Sequence, residues 1–378
     1  MRQFAVVFRI RVNATGKLVF ITQGHCAIGR GNSTIFCGVP ASPACIDVQA
    51  GDLLDIAVAH GPEDWSWGAN IELDASGGAE LINTYLPRVQ ARVREPNGPP
   101  IKIFTDARDP IRTVVSIYSM ILNGYSPSKL YLFGGYQWKP FARHLLAQFL
   151  PFANVVALPQ IRDQICQAAS SHLADAAKSL PMVMKACITL LCEPFEFCMM
   201  DDDIFVLRTV ADAQALFEQN NFVFVPEIDN GEIYRPIWSE VFADVSLTKT
   251  ARQNGSLCWM RMQKDRRAIA DIMLRGLEKL QGLPDVWSAW SWEQGLTAYL
   301  FANDVTAELP SQSYWYPFFF GLPGGMLGYD YANNPCRFTT IHFGGDVPKP
   351  NDRDALQLMP QILGRHSQRS AQDPPPFE

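Results

Sequence analysis

The chain has 378 residues, 48% of them apolar and 19% charged, with a formal net charge of −6. That length allows one large or two ordinary globular domains, and the acidic balance excludes a general nucleic-acid binder, which needs a basic face. Nine cysteines, with no Cys-x-x-Cys pair, point to reduced thiols rather than a disulfide framework or a zinc site. No apolar run reaches membrane-spanning length. The start, Met1-Arg-Gln-Phe-Ala-Val-Val-Phe-Arg9, alternates like a strand and is too charged for a signal peptide. The expected compartment is the cytoplasm.

Residues 1–98 carry short β-type runs, Phe4 to Val12, Lys17 to Thr22 and Asp52 to Val58, separated by Gly, Asn, Pro and Ser. With no long helical pattern between them, they predict a small all-β, sandwich-like accessory domain. Within it Trp65 and Trp67 fall on one side of an extended segment. Two readings are open for them: indoles that stack on sugar faces, or packed core aromatics, the commoner state of such large rings. Arg94-Glu-Pro-Asn-Gly-Pro-Pro100 predicts the linker that ends this region.

After it the pattern alternates. Ile101 to Thr105 predicts a strand with Asp106 at its end, Pro110 to Leu122 a helix opened by proline, and Lys129 to Phe133 a second strand. A helix over Lys139 to Phe149, a strand at Asn154 to Leu158 and one or two helices over 165–192 follow. Such alternation implies an α/β domain with a mainly parallel sheet, here assigned to residues 99–365. Further strands are expected at Phe222 to Pro226, Asn254 to Met260 and Thr339 to Gly345, the last ending in a glycine turn, with an amphipathic helix from Asp265 to Gln281. Trp287 to Trp292 is expected to be a loop, and Glu293-Gln294 to open a short helix reaching Phe301. Residues 366–378 have a disordered composition.

The chemistry concentrates in Phe195-Glu-Phe-Cys-Met-Met-Asp-Asp-Asp-Ile-Phe-Val-Leu207. A buried strand has no use for three carboxylates, but the carboxyl end of an α/β strand, where such sheets bind ligands, tolerates them. Asp201 and Asp203 occupy alternate positions and share a side of an extended chain, which suits a hard divalent cation. Asp202 points the other way, toward a donor sugar or a basic partner such as Lys185. A solvated acidic turn is the plain alternative for the triplet, and a hydrogen-bonded core histidine is the plain alternative for His342 taken alone.

Four features recur in one order. They are the strand ending in Thr105-Asp106, the helix bearing Lys185 before the triplet, Asn254-Gly255-Ser256 entering a strand, and His342-Phe-Gly-Gly-Asp-Val-Pro-Lys-Pro350. Residues 101–350 thereby resemble a GT-A nucleotide-sugar glycosyltransferase. The likeness is greatest to the retaining family of glycogenin and the lipopolysaccharide galactosyl- and glucosyltransferases. The resemblance implies a mixed, mainly parallel Rossmann-like sheet flanked by helices, and a divalent cation, Mn²⁺ or Mg²⁺, held by Asp201, Asp203 and His342. It implies a UDP-sugar donor held by Thr105, Asp106, Lys185, Asp201, Asn254, Gly344, Gly345 and Lys349. Ser116 and Ser119 match its nucleoside-holding helix. Gln294, Glu293 and Asp202 are the candidates for the reacting face, and the acceptor would be a glycan, a lipid-linked glycan or a protein. Asp109 stands where that family has tyrosine, and Asn351 where it has tryptophan. An oligomer is possible, and two alternatives are a carbohydrate-binding protein with a degenerate transferase domain and a sugar nucleotidyltransferase.

Overall fold

The computed structural model describes residues 4–11, 16–20, 26–30, 33–38, 44–49, 51–59, 72–75, 78–134, 138, 140–169, 171–226, 238, 241–242, 245, 250, 253–280, 286–310, 313–315, 338–343, 350 and 352–363. The chain divides into two compact units, Met1–Pro87 and Arg88–Glu378. Trp65, Trp67, Gly344, Gly345, Lys349 and the tail 366–378 lie outside the described residues.

The first unit contains seven strands among its described residues: β1 (Phe4–Arg11), β2 (Gly16–Phe20), β3 (Cys26–Arg30), β4 (Ser33–Gly38), β5 (Ala44–Val48), β6 (Leu53–Ala59) and β7 (Glu72–Ala75). They form two antiparallel sheets, β1-β6-β3-β4 and β5-β2-β7. The expected linker at 94–100 is preceded by a helix that the sequence pattern did not suggest, α1 (Gly78–Val93). The division between the units falls inside it, at Pro87.

The second unit follows the alternation. In order it runs β8 (Ile101–Phe104), α2 (Pro110–Leu122), β9 (Leu130–Phe133), α3 (Pro140–Phe149), β10 (Ala153–Val156), α4 (Leu158–Ala168), α5 (Ser171–Ser179), α6 (Pro181–Leu191), β11 (Glu196–Met200), β12 (Ile204–Val206), α7 (Ala211–Gln219), β13 (Phe222–Pro226), β14 (Gln253–Arg261), α8 (Arg266–Leu280), α9 (Val286–Phe301), β15 (Thr306–Glu308), β16 (Tyr314–Trp315), β17 (Thr340–His342) and α10 (Asp352–Leu363). Residues 165–192 span three helices rather than one or two. The Trp-rich stretch 287–292, expected as a loop, opens α9. An almost unbroken apolar sequence has no polar stripe to reveal its period.

Seven strands build the main sheet in the order β10-β9-β8-β11-β14-β13-β15. All neighbours pair in parallel except those of β14, which runs against β11 and β13. This is the mixed, mainly parallel sheet, flanked by helices, that the GT-A resemblance implies. Its topology positions the site. The carboxyl ends of β8 and β11 meet at one edge of the sheet, and reversed β14 brings its beginning, Gln253-Asn254, to that same edge.

Helix α2 is buried at all thirteen positions, and it packs against α3, α10 and β12. Its apolar residues supply the driving force, roughly 1.5–3 kcal/mol for each Val or Ile fully removed from water. Its polar residues answer a specific need. Among the described residues, the short sheet β12-β17-β16 leaves one edge of β12 without a strand. Ser116 Oγ donates to Ile204 O at 2.6 Å, Ser119 Oγ accepts from Val206 N at 2.8 Å, and Asn123 Nδ2 donates to Val206 O at 2.8 Å. These residues, three and four apart, line one helix face, so the helix closes the ladder that a strand would otherwise complete. Ser116 and Ser119, matched by resemblance to a nucleoside-holding helix, are committed to β12 instead.

Candidate active site

The acidic triplet forms the turn between β11 and β12 at the carboxyl edge of the main sheet. Its first backbone N–H, from Asp201, donates to Ser256 O at 2.8 Å, and its last carbonyl, Asp203 O, accepts from Phe343 N at 3.0 Å. The turn is thus pinned to β14 on one side and to the end of β17 on the other.

Register explains how His342 arrives. β17 pairs antiparallel with β12, and His342 stands opposite Ile204. That places the imidazole beside Asp203, with Nε2 3.3 Å from Oδ1. One donor atom from each of Asp201, Asp203 and His342 lies within 4.8 Å of the other two. Asp203 and His342 are buried while Asp201 is half-buried, so the cluster opens toward the Asp201 side. Two carboxylates and an imidazole at this spacing fit a divalent cation of the Mn²⁺ or Mg²⁺ type.

Lys185, on the fifth residue of α6, sits against Asp201. Its Nζ lies 2.9 Å from Oδ1 and 3.1 Å from Oδ2. Burial opposes the ammonium charge, but Asp201 and then Glu293 outweigh it and raise its pKa above the ordinary lysine value.

Asp202 has a different environment. Its carboxylate accepts from Thr105 Oγ1 at 2.5 Å, Thr113 Oγ1 at 3.3 Å and Arg112 Nη2 at 3.2 and 3.3 Å. Its basic partner is therefore Arg112 on α2, not Lys185. Arg112 also donates through Nη1 to Asp109 Oδ2 at 3.0 Å and to Pro350 O at 3.3 Å. Asp202 and Arg112 tie the triplet to α2 and to the residue two before α10. Four contacts occupy a carboxylate that was expected to work at the reacting face. Thr105, expected on the donor, likewise serves Asp202, and it accepts from Ala107 N at 3.0 Å. Ala107 is held in the left-handed region at φ 52°, a conformation that disfavours any side chain. Asp106 turns to Arg108, accepting from its backbone N at 3.0 Å and its Nε at 2.8 Å.

The far wall comes from β14 and α9. Between Phe224 and Val225 of β13 the pairing on β14 jumps from Cys258 to Asn254. The intervening bulge is closed by Asn254, whose Oδ1 accepts from Ser256 N at 2.8 Å and also from Ser256 Oγ. Bulges of this kind re-aim side chains beside functional sites. Gly255 lets Glu293 pack close: a Cβ placed there would lie 3.1 Å from Glu293 Oε1 and 3.3 Å from Oε2, a tight contact that the carboxylate would have to yield to. Gln253 Nε2 donates to Gln294 O at 2.6 Å and holds the start of the strand to α9. Glu293 is 2% exposed, and burial pushes its carboxyl up to about 7, with Asp201 adding to the rise and Lys185 opposing it. Glu293 Oε2 and Asn254 Nδ2 are buried without a hydrogen-bond partner among the described residues.

The structure thus brings together Asp201, Asp203, His342, Lys185, Asn254 and Glu293-Gln294, and sets Thr105 and Asp202 behind the turn. Sequence reasoning passed over Arg112, although the one charged residue in a mostly apolar helix signals a buried anion somewhere in the fold.

No protein-family model and no curated protein matches the sequence. Among solved structures, the chain is similar to mouse xyloside xylosyltransferase 1 in its apo form, with 11% identity, a TM-score of 0.38 and coverage of 66% of this chain and 98% of that one. It is similar to the galactosyltransferase LgtC in complex with donor and acceptor sugar analogues, with 12% identity, a TM-score of 0.42 and coverage of 73% and 98%. It is similar as well to the glycosyltransferase GlyE of Streptococcus pneumoniae TIGR4, with 13% identity, a TM-score of 0.37 and coverage of 75% and 66%.

Proposed function

We propose that this protein is a metal-dependent glycosyltransferase of the GT-A type. It moves a sugar, in our reading a hexose, from a UDP-sugar to a glycan, lipid-linked glycan or protein acceptor. One observation carries the reading: Asp201, Asp203 and His342, from two distant parts of the chain, converge at the carboxyl edge of the sheet with donor atoms within 4.8 Å. A divalent cation bound there would neutralise charge developing on a diphosphate leaving group.

The chain's own residues divide the remaining work. Lys185 supplies a positive charge at the buried end of the site. Asn254 Nδ2 and Glu293 Oε2, buried and without a partner among the described residues, suit hydroxyls of the transferred sugar. Gln294 borders the same face. Asp202 positions the triplet from behind. In the GT-A resemblance, Gly344, Gly345 and Lys349 approach the diphosphate. Retention is the preferred outcome, since that resemblance is to a retaining family. Inversion, with Glu293 as base on the acceptor hydroxyl, is favoured by one fact: a carboxyl pushed up to about 7 works best as a base near neutral pH. We place the protein in the cytoplasm.

The test is UDP release from UDP-hexoses with Mn²⁺, with Mg²⁺ and with EDTA. We expect metal-dependent release, lowered roughly 10²–10³-fold in Asp203→Asn. Release indifferent to both EDTA and Asp203→Asn would refute the reading. NMR of the anomeric proton of the product decides between retention and inversion.

A further inference from the structure

Each acid of the triplet is answered by a basic side chain from a different element. Arg112 of α2 serves Asp202, His342 of β17 serves Asp203, and Lys185 of α6 serves Asp201. The three pairs are not equivalent. The Asp202 pair sits behind the turn with two threonine hydroxyls. The Asp201 pair lies within the donor cluster itself, and the ammonium contacts both carboxylate oxygens, at 2.9 and 3.1 Å. Both Asp201 oxygens therefore already face a cation that belongs to the protein.

We propose that Lys185 is the resident counter-ion of Asp201, and that a divalent cation entering the Asp201–Asp203–His342 cluster does so by exchange with it. The inference rests on the glycosyltransferase reading above and adds a competition to it. Two positive centres sharing one half-buried carboxylate repel strongly at that range. Lys185 is only 7% exposed, so the displaced ammonium has little water to retreat into. Glu293 offers a place: it is the other carboxylate acting on Lys185, and its Oε2 has no partner among the described residues. Loading the cluster then turns the lysine from Asp201 toward Glu293 and the Asn254-Gly255 bulge. Metal entry and arrival of a positive charge at the opposite wall become a single event.

The experiment is a titration of Mn²⁺ without nucleotide, with free Mn²⁺ read by EPR, on the wild type, Lys185→Gln and Lys185→Arg. The exchange predicts that Lys185→Gln binds Mn²⁺ more tightly than the wild type by about tenfold or more, and that Lys185→Arg, which keeps the competing charge, stays near the wild type. Equal or weaker binding by a folded Lys185→Gln overturns the exchange and leaves the transferase reading standing. Absence of Mn²⁺ binding in every variant, even with UDP present, overturns both. If Lys185→Gln does not fold, the wild type still decides the matter. Its ¹⁵N-labelled lysine Nζ resonance, assigned by its loss in Lys185→Arg, must move when diamagnetic Mg²⁺ saturates the site. An unmoved resonance at saturation overturns the exchange.

Discussion

Two lysines, both buried, meet helix α6 and behave in opposite ways. Lys185 is carried by the helix and faces Asp201. Lys102 comes from β8 and lies under the helix end, donating to Ile188 O at 3.0 Å, Thr189 O at 3.3 Å and Cys192 O at 2.6 Å. The Phe197 ring lies 3.8 Å from its Nζ. Three carbonyls and an aromatic face make a good cap for the negative end of a helix dipole, but they supply no full charge. Burial pushes Lys102 down to about 7, whereas Asp201 and Glu293 hold Lys185 above its ordinary value. A buried cation keeps its proton where a carboxylate contacts it directly and loses it more easily where its direct contacts are dipoles, even with Glu193 near enough to oppose the loss. The first sits beside a candidate metal ligand, and the second ties the end of α6 to β8.

The largest test of that rule removes a cation that has a carboxylate. Arg112→Met strands Asp202 in the interior and should cost about 3–5 kcal/mol in urea unfolding. Adding Asp202→Asn to the same chain should recover much of the loss. If the double variant is no more stable than Arg112→Met alone, the pair is not coupled and the comparison breaks.

The next test reverses the sign of charge. The folded Glu293 carboxyl, at about 7, lies above its ordinary 4.5. The native state therefore binds more protons than the unfolded chain between those values, and stability falls as pH rises through that window. Glu293→Gln should match the wild type near pH 4.5 and exceed it by about 3 kcal/mol above pH 7. A constant difference across pH would show that burial does not govern this group.

The smallest effect concerns Lys102. Its folded value, about 7, lies below its ordinary 10.5. The unfolded chain therefore binds more protons between them, and stability rises as pH climbs above about 7. Wild type should gain about 2 kcal/mol from pH 7 to 8.5 relative to Lys102→Met. The variant should lack that slope. Parallel curves would mean that the carbonyls hold the ammonium as well as a carboxylate would.

Much of the frame was legible in the sequence, and the reasons are local. Ile101-Lys-Ile-Phe104, Leu130 to Phe133 and Phe222 to Pro226 are compact apolar runs with turn residues at their ends, and each forms a strand of the main sheet. Pro110 to Leu122 forms a helix with the expected ends because proline marks its start. The acidic triplet stands out because strands exclude such charge. What escaped was whatever depends on long-range partners. Nothing within 90 positions of Asp202 announces Arg112 as its partner, and nothing in Asn254-Gly-Ser256 announces a bulge fitted around Glu293. Gly78 to Val93, with Pro87 inside it, hides its helical character behind a residue that normally ends helices. The Trp-rich opening of α9 hides it behind uniform hydrophobicity.

The complete burial of α2 has a consequence for synthesis of the chain. Residues 110–122 leave the ribosome early, yet one partner of this helix, α10, spans residues 352–363. The strand that its serines close, β12, follows more than eighty positions after Ser116. Until those partners arrive, the faces of this mostly apolar helix that meet α10 and β12 stay uncovered, the condition in which nascent chains aggregate. This favours folding after translation, or chaperone cover for α2 during it. Truncations that end before residue 352 should therefore be captured by hydrophobic-surface probes even though every strand of the main sheet is present.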